Sequence, residues 1–177
     1  MLTVGLHGDT LYGYELAESA MPMNLPDPKQ PYLYILMRSD LDSLNTGKAV
    51  AQGAHAANQF SYDMHQLQDA IPDDSDIMTG PLATPENDRL RLLFEQWESS
   101  TPQGFGVTIC LDVIGYQLPL VVEAAKRMNC AAGVTHDPSY PLLDGKVLHL
   151  LPLDTCGYVF GDKSDLRILL GQFDLLK

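Results

Sequence analysis

Tyr32-Leu-Tyr-Ile-Leu-Met-Arg38 opens the part of the chain that decides the fold, and a second characteristic stretch follows after a short polar loop. The first stretch is β-prone without polar interruption, which predicts a strand buried on both faces. The second stretch reads Gly47-Lys-Ala-Val-Ala-Gln-Gly-Ala-His-Ala-Ala-Asn-Gln-Phe60. Its alanines predict a helix, with Asn45 or Thr46 as the N-cap. A strand that leads into a helix in this way favours an α/β fold.

Strand and helix signals continue to the end of the chain. Helices are predicted at 87–99, 117–129 and 165–173, and strands at 105–113, 131–136 and 146–151, with a fifth at 155–160. Two prolines in Asp137-Pro-Ser-Tyr-Pro141 predict a turn after the third strand. This order predicts a three-layer α/β/α sandwich around a mixed, mostly parallel sheet of four or five strands.

The length of 177 residues fits one domain. Residues 1–31 contain four prolines and a short helix-like segment at 11–20, so we interpret them as an N-terminal extension. Residues 32–177 then form the domain, with an acidic insertion at about 63–90. This insertion is predicted to be either a solvated surface loop or a regulatory loop or one that binds a protein partner.

The chain carries a net charge of −12, from 11 basic and 23 acidic residues. Taken alone, this charge argues against nucleic acid as a partner. Residues 63–98 carry −7 of it, however, whereas residues 32–62 are neutral. The negative charge therefore lies mainly beside the stretch that decides the fold, and nucleic acid stays among the candidate partners.

Composition also predicts where the protein acts. No apolar run approaches the roughly 18 residues of a membrane helix, and the first 20 residues do not resemble a secretory signal. The three cysteines form no CxxC pair, which favours a reducing compartment. These observations predict a cytoplasmic protein without a membrane partner.

One helix face and one aspartate carry the candidate chemistry. Lys48, Gln52, His55 and Gln59 are spaced so that they share one face of the predicted helix, and Lys48 lies in the first turn, where anions bind well. Asp137 follows a predicted strand and can orient or deprotonate a water. Each feature also has an ordinary explanation, as a solvated helix face and as an Asp-Pro turn. Because sites form at the carboxyl ends of parallel strands, we expect the two to converge.

Other chemistries have weaker support in the sequence. His136, Asp137 and His149 lack the spacing typical of a metal site. Cys156, predicted to lie in a loop, is the one plausible cysteine nucleophile. Asn45-Thr-Gly-Lys48 lacks both the first glycine of a phosphate loop and the Ser or Thr that follows its lysine. We therefore predict no metal and no cofactor.

The same residues carry a family resemblance. Tyr34-Ile-Leu-Met-Arg38, then Asp40-Leu41, then Gly47-Lys48-x-x-Ala51-Gln52-x-x-His55-Ala56 resembles the opening of the type 2 peptidyl-tRNA hydrolases, the class typical of archaea and eukaryotes. The resemblance covers roughly residues 32–62 specifically and 94–177 more loosely. It implies a compact α/β/α fold, often a homodimer, that hydrolyses the ester between peptide and tRNA without a cofactor. Peptidyl-tRNA is then the expected partner, bound weakly and in a salt-sensitive manner.

The resemblance also implies roles for individual residues. It matches Lys48, Gln52, His55 and Asp137 to the family's active region. We predict Lys48, His55, Asp137 and Ser139 as catalytic residues, and Arg38, Gly47, Gln52 and Tyr140 as substrate-binding residues. After the matched aspartate the family usually has Gly and soon a Thr, whereas this chain has Pro138-Ser139-Tyr140-Pro141. The assisting hydroxyl is therefore missing or replaced by Ser139, Tyr140 or Thr155.

These departures suggest a divergent member, of the kind found in some bacteria and their viruses. They leave two alternatives open. One is a hydrolase-like module that has lost catalysis and serves in binding or regulation. The other is an esterase that acts on a small molecule.

Overall fold

A computed structural model describes residues 29–70 and 84–177 of the chain. The predicted helix at 11–20 and the central part of the predicted acidic insertion lie outside the described residues. The elements, in chain order, are β1 (Pro31–Arg38), α1 (Thr46–Ala70), α2 (Pro85–Glu98), β2 (Thr108–Val113), α3 (Gln117–Arg127), β3 (Ala131–Asp144), β4 (Val147–Asp162) and α4 (Lys163–Leu170).

The described strands form one mixed sheet in the order β2-β1-β4-β3. This confirms the predicted α/β fold with a mixed sheet of four strands. The prediction of a mostly parallel sheet is wrong, because β1 and β2 are parallel whereas β1–β4 and β3–β4 are antiparallel. The reason is that a tight turn at Gly145, whose φ is 59°, joins β3 directly to β4, and such a turn connects only antiparallel strands.

Both faces of β1 are buried, as its sequence predicts. Leu33, Ile35 and Met37 pack in a cluster with residues of α1 and α2, whereas Leu36 packs with residues of α3 and α4. Since successive side chains of a strand point to opposite faces, the two helix pairs cover opposite faces of the sheet. The α1–α2 side has an aromatic centre, in which the ring of Phe60 lies within 5.5 Å of four neighbouring rings, measured between centroids.

Both helices around the acidic segment extend further than predicted. α1 continues to Ala70 because Phe60, Met64 and Leu67 repeat at helical spacing against the core. α2 begins at Pro85, behind Thr84, whose side chain accepts a hydrogen bond from the backbone N–H of Asn87 at 3.2 Å. Residues 63–70 and 85–90 of the predicted acidic insertion are therefore helical.

The turn predicted at residues 137–141 is also wrong, since β3 continues through both prolines to Asp144. β3 is an edge strand with one open side, where proline does not remove a ladder hydrogen bond. The two strands predicted at 146–151 and 155–160 are parts of the single strand β4.

None of the helices in residues 29–70 and 84–177 combines the length and the apolar character that crossing a membrane requires.

Candidate functional site

Two register shifts interrupt the pairing of β3 with β4. At the first, Thr135 pairs with Cys156 but His136 pairs with Asp154, so that Thr155 is an extra residue on β4. A β-bulge of this kind redirects the side chains around it. Thr155 and Cys156 are neighbours in sequence, yet both form hydrogen bonds to α1.

The second shift lies two residues further along β3. Asp137 pairs with Leu153 and Tyr140 with Leu151, so β3 here holds one residue more than β4. The two bulges thus lie on opposite strands and enclose the short segment that contains Asp137. This irregular part of the ladder faces the first turns of α1.

Gln52 of α1 joins the two strands. Its Nε2 donates to Asp137 Oδ2 at 2.6 Å, and its Oε1 accepts from Thr155 Oγ1 at 2.5 Å. Because a carboxylate only accepts hydrogen bonds, the amide has one satisfactory orientation and the Thr155 hydroxyl must be the donor. Gln52 is only 3% exposed and Thr155 is fully buried, so the arrangement is rigid.

Asp137 combines this support with access to solvent. Its Oδ1 accepts from the Ser139 backbone N–H at 2.9 Å, and the Ser139 hydroxyl lies 3.5 Å from the same oxygen. Partial burial raises the pKa of Asp137, but the hydrogen bonds from Ser139 and Gln52 and the nearby His55 outweigh it and hold the pKa below its ordinary value. Asp137 is therefore ionised at neutral pH and has lone pairs available for a water or a substrate.

Lys48 lies one helical turn before Gln52 and reaches the same strand. Its Nζ donates to the Pro141 carbonyl at 2.5 Å and lies 4.9 Å from the centre of the Tyr140 ring. Neither group is charged, so these two contacts hold the ammonium beside β3 without neutralising it. Lys48 and Asp137 therefore lie along the same α1–β3 interface, as the sequence predicts.

The first turn of α1 is fixed by Asn45, whose Oδ1 accepts from the Lys48 backbone N–H at 3.0 Å. This is the hydrogen bond expected of an N-cap. Gly47, one residue before Lys48, is exposed in the same turn. It lies at the positive end of the helix dipole, and its role in binding substrate stays a prediction.

His55, Ser139 and Tyr140 differ in how accessible they are. His55 is exposed on the same face of α1 and stabilises the charge of Asp137 electrostatically, and Ser139 is exposed beside Asp137. Tyr140 is only 1% exposed, and its hydroxyl lies 3.0 Å from Ser43 Oγ. The predicted role of Tyr140 in binding substrate is therefore reduced to supporting Lys48.

Arg38 is not brought together with these residues. It occupies a position on β1 whose side chain faces α3 and α4, the opposite side of the sheet. There its guanidinium donates to both oxygens of Asp40, at 3.0 and 2.9 Å, and to the Asp154 carbonyl at 2.9 Å. Asp40 also accepts from the Gly115 backbone N–H, so the Arg38–Asp40 pair joins the loops after β1 and β2 to strand β4 rather than facing Lys48.

The described residues give little support to a cysteine nucleophile or to a metal site. Cys156 lies in β4, fully buried, where burial raises the pKa of its thiol, so its predicted loop position is wrong. Among residues 29–70 and 84–177, no three His, Cys, Asp or Glu side chains are grouped in a way that could hold a metal ion.

Sequence reasoning missed the structural role of Thr155 and the contribution of Ser43. The sequence offers Thr155 only as a substitute hydroxyl, and nothing in the local pattern predicts a bulge there. Its contact with Gln52 spans 103 positions in the chain, and the contact of Ser43 with Tyr140 spans 97. Neither contact is visible in a pattern of neighbours.

No protein-family model matches this chain, and no curated protein is significantly similar to it.

Proposed function

We propose that this chain hydrolyses the ester bond between peptide and tRNA in peptidyl-tRNA and releases free tRNA. The observation that carries the proposal is the hydrogen bond between Gln52 and Asp137 next to Lys48 on the α1–β3 interface. These three residues belong to the set that the resemblance to type 2 peptidyl-tRNA hydrolases implies. An ionised carboxylate can orient a water for attack on an ester, and a nearby cation can stabilise the negative charge that develops.

In this proposal Asp137 holds the attacking water. Its lowered pKa makes it a weak base, so it orients the water and accepts a hydrogen bond rather than removing a proton beforehand. The water oxygen attacks the ester carbonyl carbon, and negative charge develops on the carbonyl oxygen. Lys48 stabilises that charge or holds a phosphate of the acceptor end. The ribose oxygen then leaves with a proton derived from the water.

Among the three candidate replacements for the family hydroxyl, Ser139 fits best. Thr155 and Tyr140 are buried, and their hydroxyls contact Gln52 and Ser43 respectively. Ser139 is exposed and adjoins the carboxylate of Asp137. We therefore assign the assisting role to Ser139, as a donor to the substrate or to the water.

Such a substrate is found in the cytoplasm, which agrees with the cysteine pattern. Binding of tRNA is expected to be weak and sensitive to salt, because few cations adjoin the site.

The test measures release of N-acetylated amino acid from N-acetylaminoacyl-tRNA by the purified full-length chain. Asp137→Asn keeps the shape and an acceptor for Gln52 but removes the charge, so the rate should fall by about 10²- to 10⁴-fold. Lys48→Met keeps the aliphatic stem against Tyr140 and removes the cation. Its rate should fall by about 10²- to 10³-fold.

Matched controls lie at the exposed β3–β4 turn. Asp144→Asn and Lys146→Met make the same chemical changes away from the site and should leave the rate within about twofold of wild type. No release by the wild type would contradict the proposal and favour a binding module. Hydrolysis of simple aminoacyl esters with no preference for tRNA would favour a small-molecule esterase.

A further inference from the structure

α1 has a second flank, opposite the one that carries Lys48 and Gln52. This flank faces the β1–β2 edge of the sheet and lines a half-open cavity of about 800 Å³. The volume lies within the range of about 300–1,000 Å³ typical of small-molecule sites. Its lining does not include Lys48, Gln52 or Asp137, although Asn45, which caps the helix before Lys48, lines it as well.

The lining of this cavity is mostly apolar, and polar side chains from Ser39, Asn45, Thr46, Thr108 and Lys177 complete it. Its floor consists of Ile35, Met37 and Cys110 from the two strands, and its ends include Leu44 and Leu176. Within the described part of the chain, no aromatic ring lines it. A lining without rings offers no stacking surface for a flat aromatic ligand, but it suits a flexible aliphatic chain.

The α1 wall consists of small residues. Ala49, Gly53 and Ala57 follow one another at intervals of four residues and all line the cavity. Spaced in this way, they form a smooth strip along one side of the helix. The strip has room beside it for a chain that runs parallel to the helix axis.

Gly53 gives independent support, because packing does not require a glycine there. A Cβ added at Gly53 would meet nothing closer than Met37 Cε, at 3.8 Å, which is an ordinary contact. Glycine inside a helix is about 1 kcal/mol less favourable than alanine. The missing side chain thus lowers helix stability and widens the cavity, as expected if the space is used by a ligand.

Cys110 on the floor does not add nucleophilic chemistry. Burial raises the pKa of its thiol to about 11, so it is neutral at physiological pH and presents an apolar surface. Reversible binding, not covalent capture, is the chemistry that this floor supports.

We propose that the cavity between α1 and the β1–β2 edge binds a linear aliphatic chain, such as the hydrocarbon part of a fatty alcohol or fatty acid. This goes beyond peptidyl-tRNA hydrolysis and does not depend on it.

The test titrates the full-length, isotope-labelled chain with decanol and, separately, with decanoate, and follows backbone amide shifts by NMR. Wild type should show saturable shifts at Ala57 and Cys110 with both ligands, because the hydrocarbon chain is the shared feature. Gly53→Leu places a side chain in the cavity and should weaken binding by about tenfold or more. Its melting temperature should be unchanged or higher, since leucine favours a helix.

Two further variants complete the design. Ala57→Leu fills the cavity one turn further along and should also weaken binding, which guards against a folding defect in the first variant. Ala54→Leu adds the same side chain on the exposed surface of α1 and should bind like wild type.

Several results would overturn the proposal. They are an absence of saturable shifts in the wild type, unaltered binding by both filling variants, and binding of decanoate without decanol. Occupation of the cavity by an extended apolar peptide, with no decanol binding, would also overturn it in favour of a peptide site.

Discussion

Gln52 is the residue on which the candidate hydrolytic site depends. A buried amide with both ends hydrogen-bonded is stable, but one with an unpaired oxygen is costly. Thr155 supplies the donor to that oxygen, and the other end of the amide then holds Asp137. A buried hydroxyl thus determines where a carboxylate points.

Thr155→Val tests this dependence. It keeps the shape of the side chain but leaves Gln52 Oε1 without its donor, so the free energy of unfolding should fall by about 1–3 kcal/mol. Peptide release should fall as well, since Gln52 is free to rotate away from Asp137. Urea unfolding and the tRNA release assay measure the two effects. Thr108→Val, at the exposed start of β2, is the control and should be close to neutral.

A second prediction for single residues concerns the lowered pKa of Asp137. Gln52→Ala removes one of the hydrogen bonds that favour the charged form, so the pKa of Asp137 should rise relative to wild type. Carboxyl-carbon NMR titration reads this directly. Gln59→Ala, further along the same face of α1, should leave the pKa unchanged, because Gln59 contacts Val134 instead. An unchanged pKa in Gln52→Ala would mean that the amide does not support the carboxylate.

The lowered pKa of Asp137 also determines how this carboxylate changes the stability of the fold with pH. A carboxylate whose pKa is lowered in the folded state stabilises that state above its ordinary pKa, which is 3.8 for aspartate. This contribution disappears as the pH falls through the folded-state value. Asp137→Asn should therefore show a smaller loss of stability on acidification than wild type over that range.

At the level of elements, α1 organises the molecule. One flank faces β3 and carries Lys48 and Gln52, whereas the other faces β2 and carries Gly53. Between the two flanks, Ala56 and Phe60 are buried against the sheet. One helix thereby separates a polar site from an apolar cavity.

The start of this helix should be sensitive to its cap. Asn45→Ala removes the acceptor for the Lys48 backbone N–H and should lower the free energy of unfolding by about 1 kcal/mol. Asn58→Ala, in the exposed middle of α1, should be neutral or slightly stabilising, since alanine is the better helix former. Urea denaturation of both variants makes the comparison. Equal effects would argue against a capping role for Asn45.

β3 and β4 approach each other closely at Gly157, so a substitution there can be compared with one at Gly53 of α1. A Cβ at Gly157 would lie 2.6 Å from the Gly133 carbonyl oxygen, a backbone atom that cannot easily move. Gly157→Ala should therefore lower the free energy of unfolding by about 1–3 kcal/mol. Gly53→Ala, which meets no such obstacle, should raise it by up to about 1 kcal/mol. Thermal unfolding of the two variants should move in opposite directions.

For the whole molecule, the distribution of charge matters more than its sum. All 11 bases lie in the described residues, together with 16 of the 23 acids, which leaves −5 there. The other −7 belongs to residues 1–28 and 71–83, which contain no Lys or Arg. More than half of the net negative charge, which argues against binding of nucleic acid, thus belongs to these two segments.

Salt dependence of tRNA binding tests this view. The logarithm of the affinity should fall linearly with the logarithm of salt concentration, by somewhat less than one unit of slope per phosphate contact. Lys48→Met should reduce that slope by about one if Lys48 holds a phosphate. Lys126→Met should not change it, since Lys126 is paired with Glu123 on α3. Fluorescence anisotropy with labelled tRNA gives both slopes.

Local patterns were sufficient for the elements that carry most of the candidate site. β1 appears in an unbroken apolar run, and α1 in its alanines, its cap and the spacing of Lys48, Gln52 and His55. These features depend on neighbours three or four positions apart, so a single stretch of chain contains them. The sequence also predicts an accessible carboxylate at Asp137. It does so from an expected turn, however, whereas the structure has a bulged strand there.

By itself, then, the sequence determined an α/β fold and a polar face on its first helix, because helical and strand periodicities are local properties. Only the tertiary structure decided that β3 and β4 are antiparallel, that two bulges enclose Asp137, and that Arg38 faces the opposite side of the sheet. The contacts responsible join Gln52 to residues 85 and 103 positions away. Such contacts depend on how the strands are paired and shifted against one another, which no local periodicity encodes.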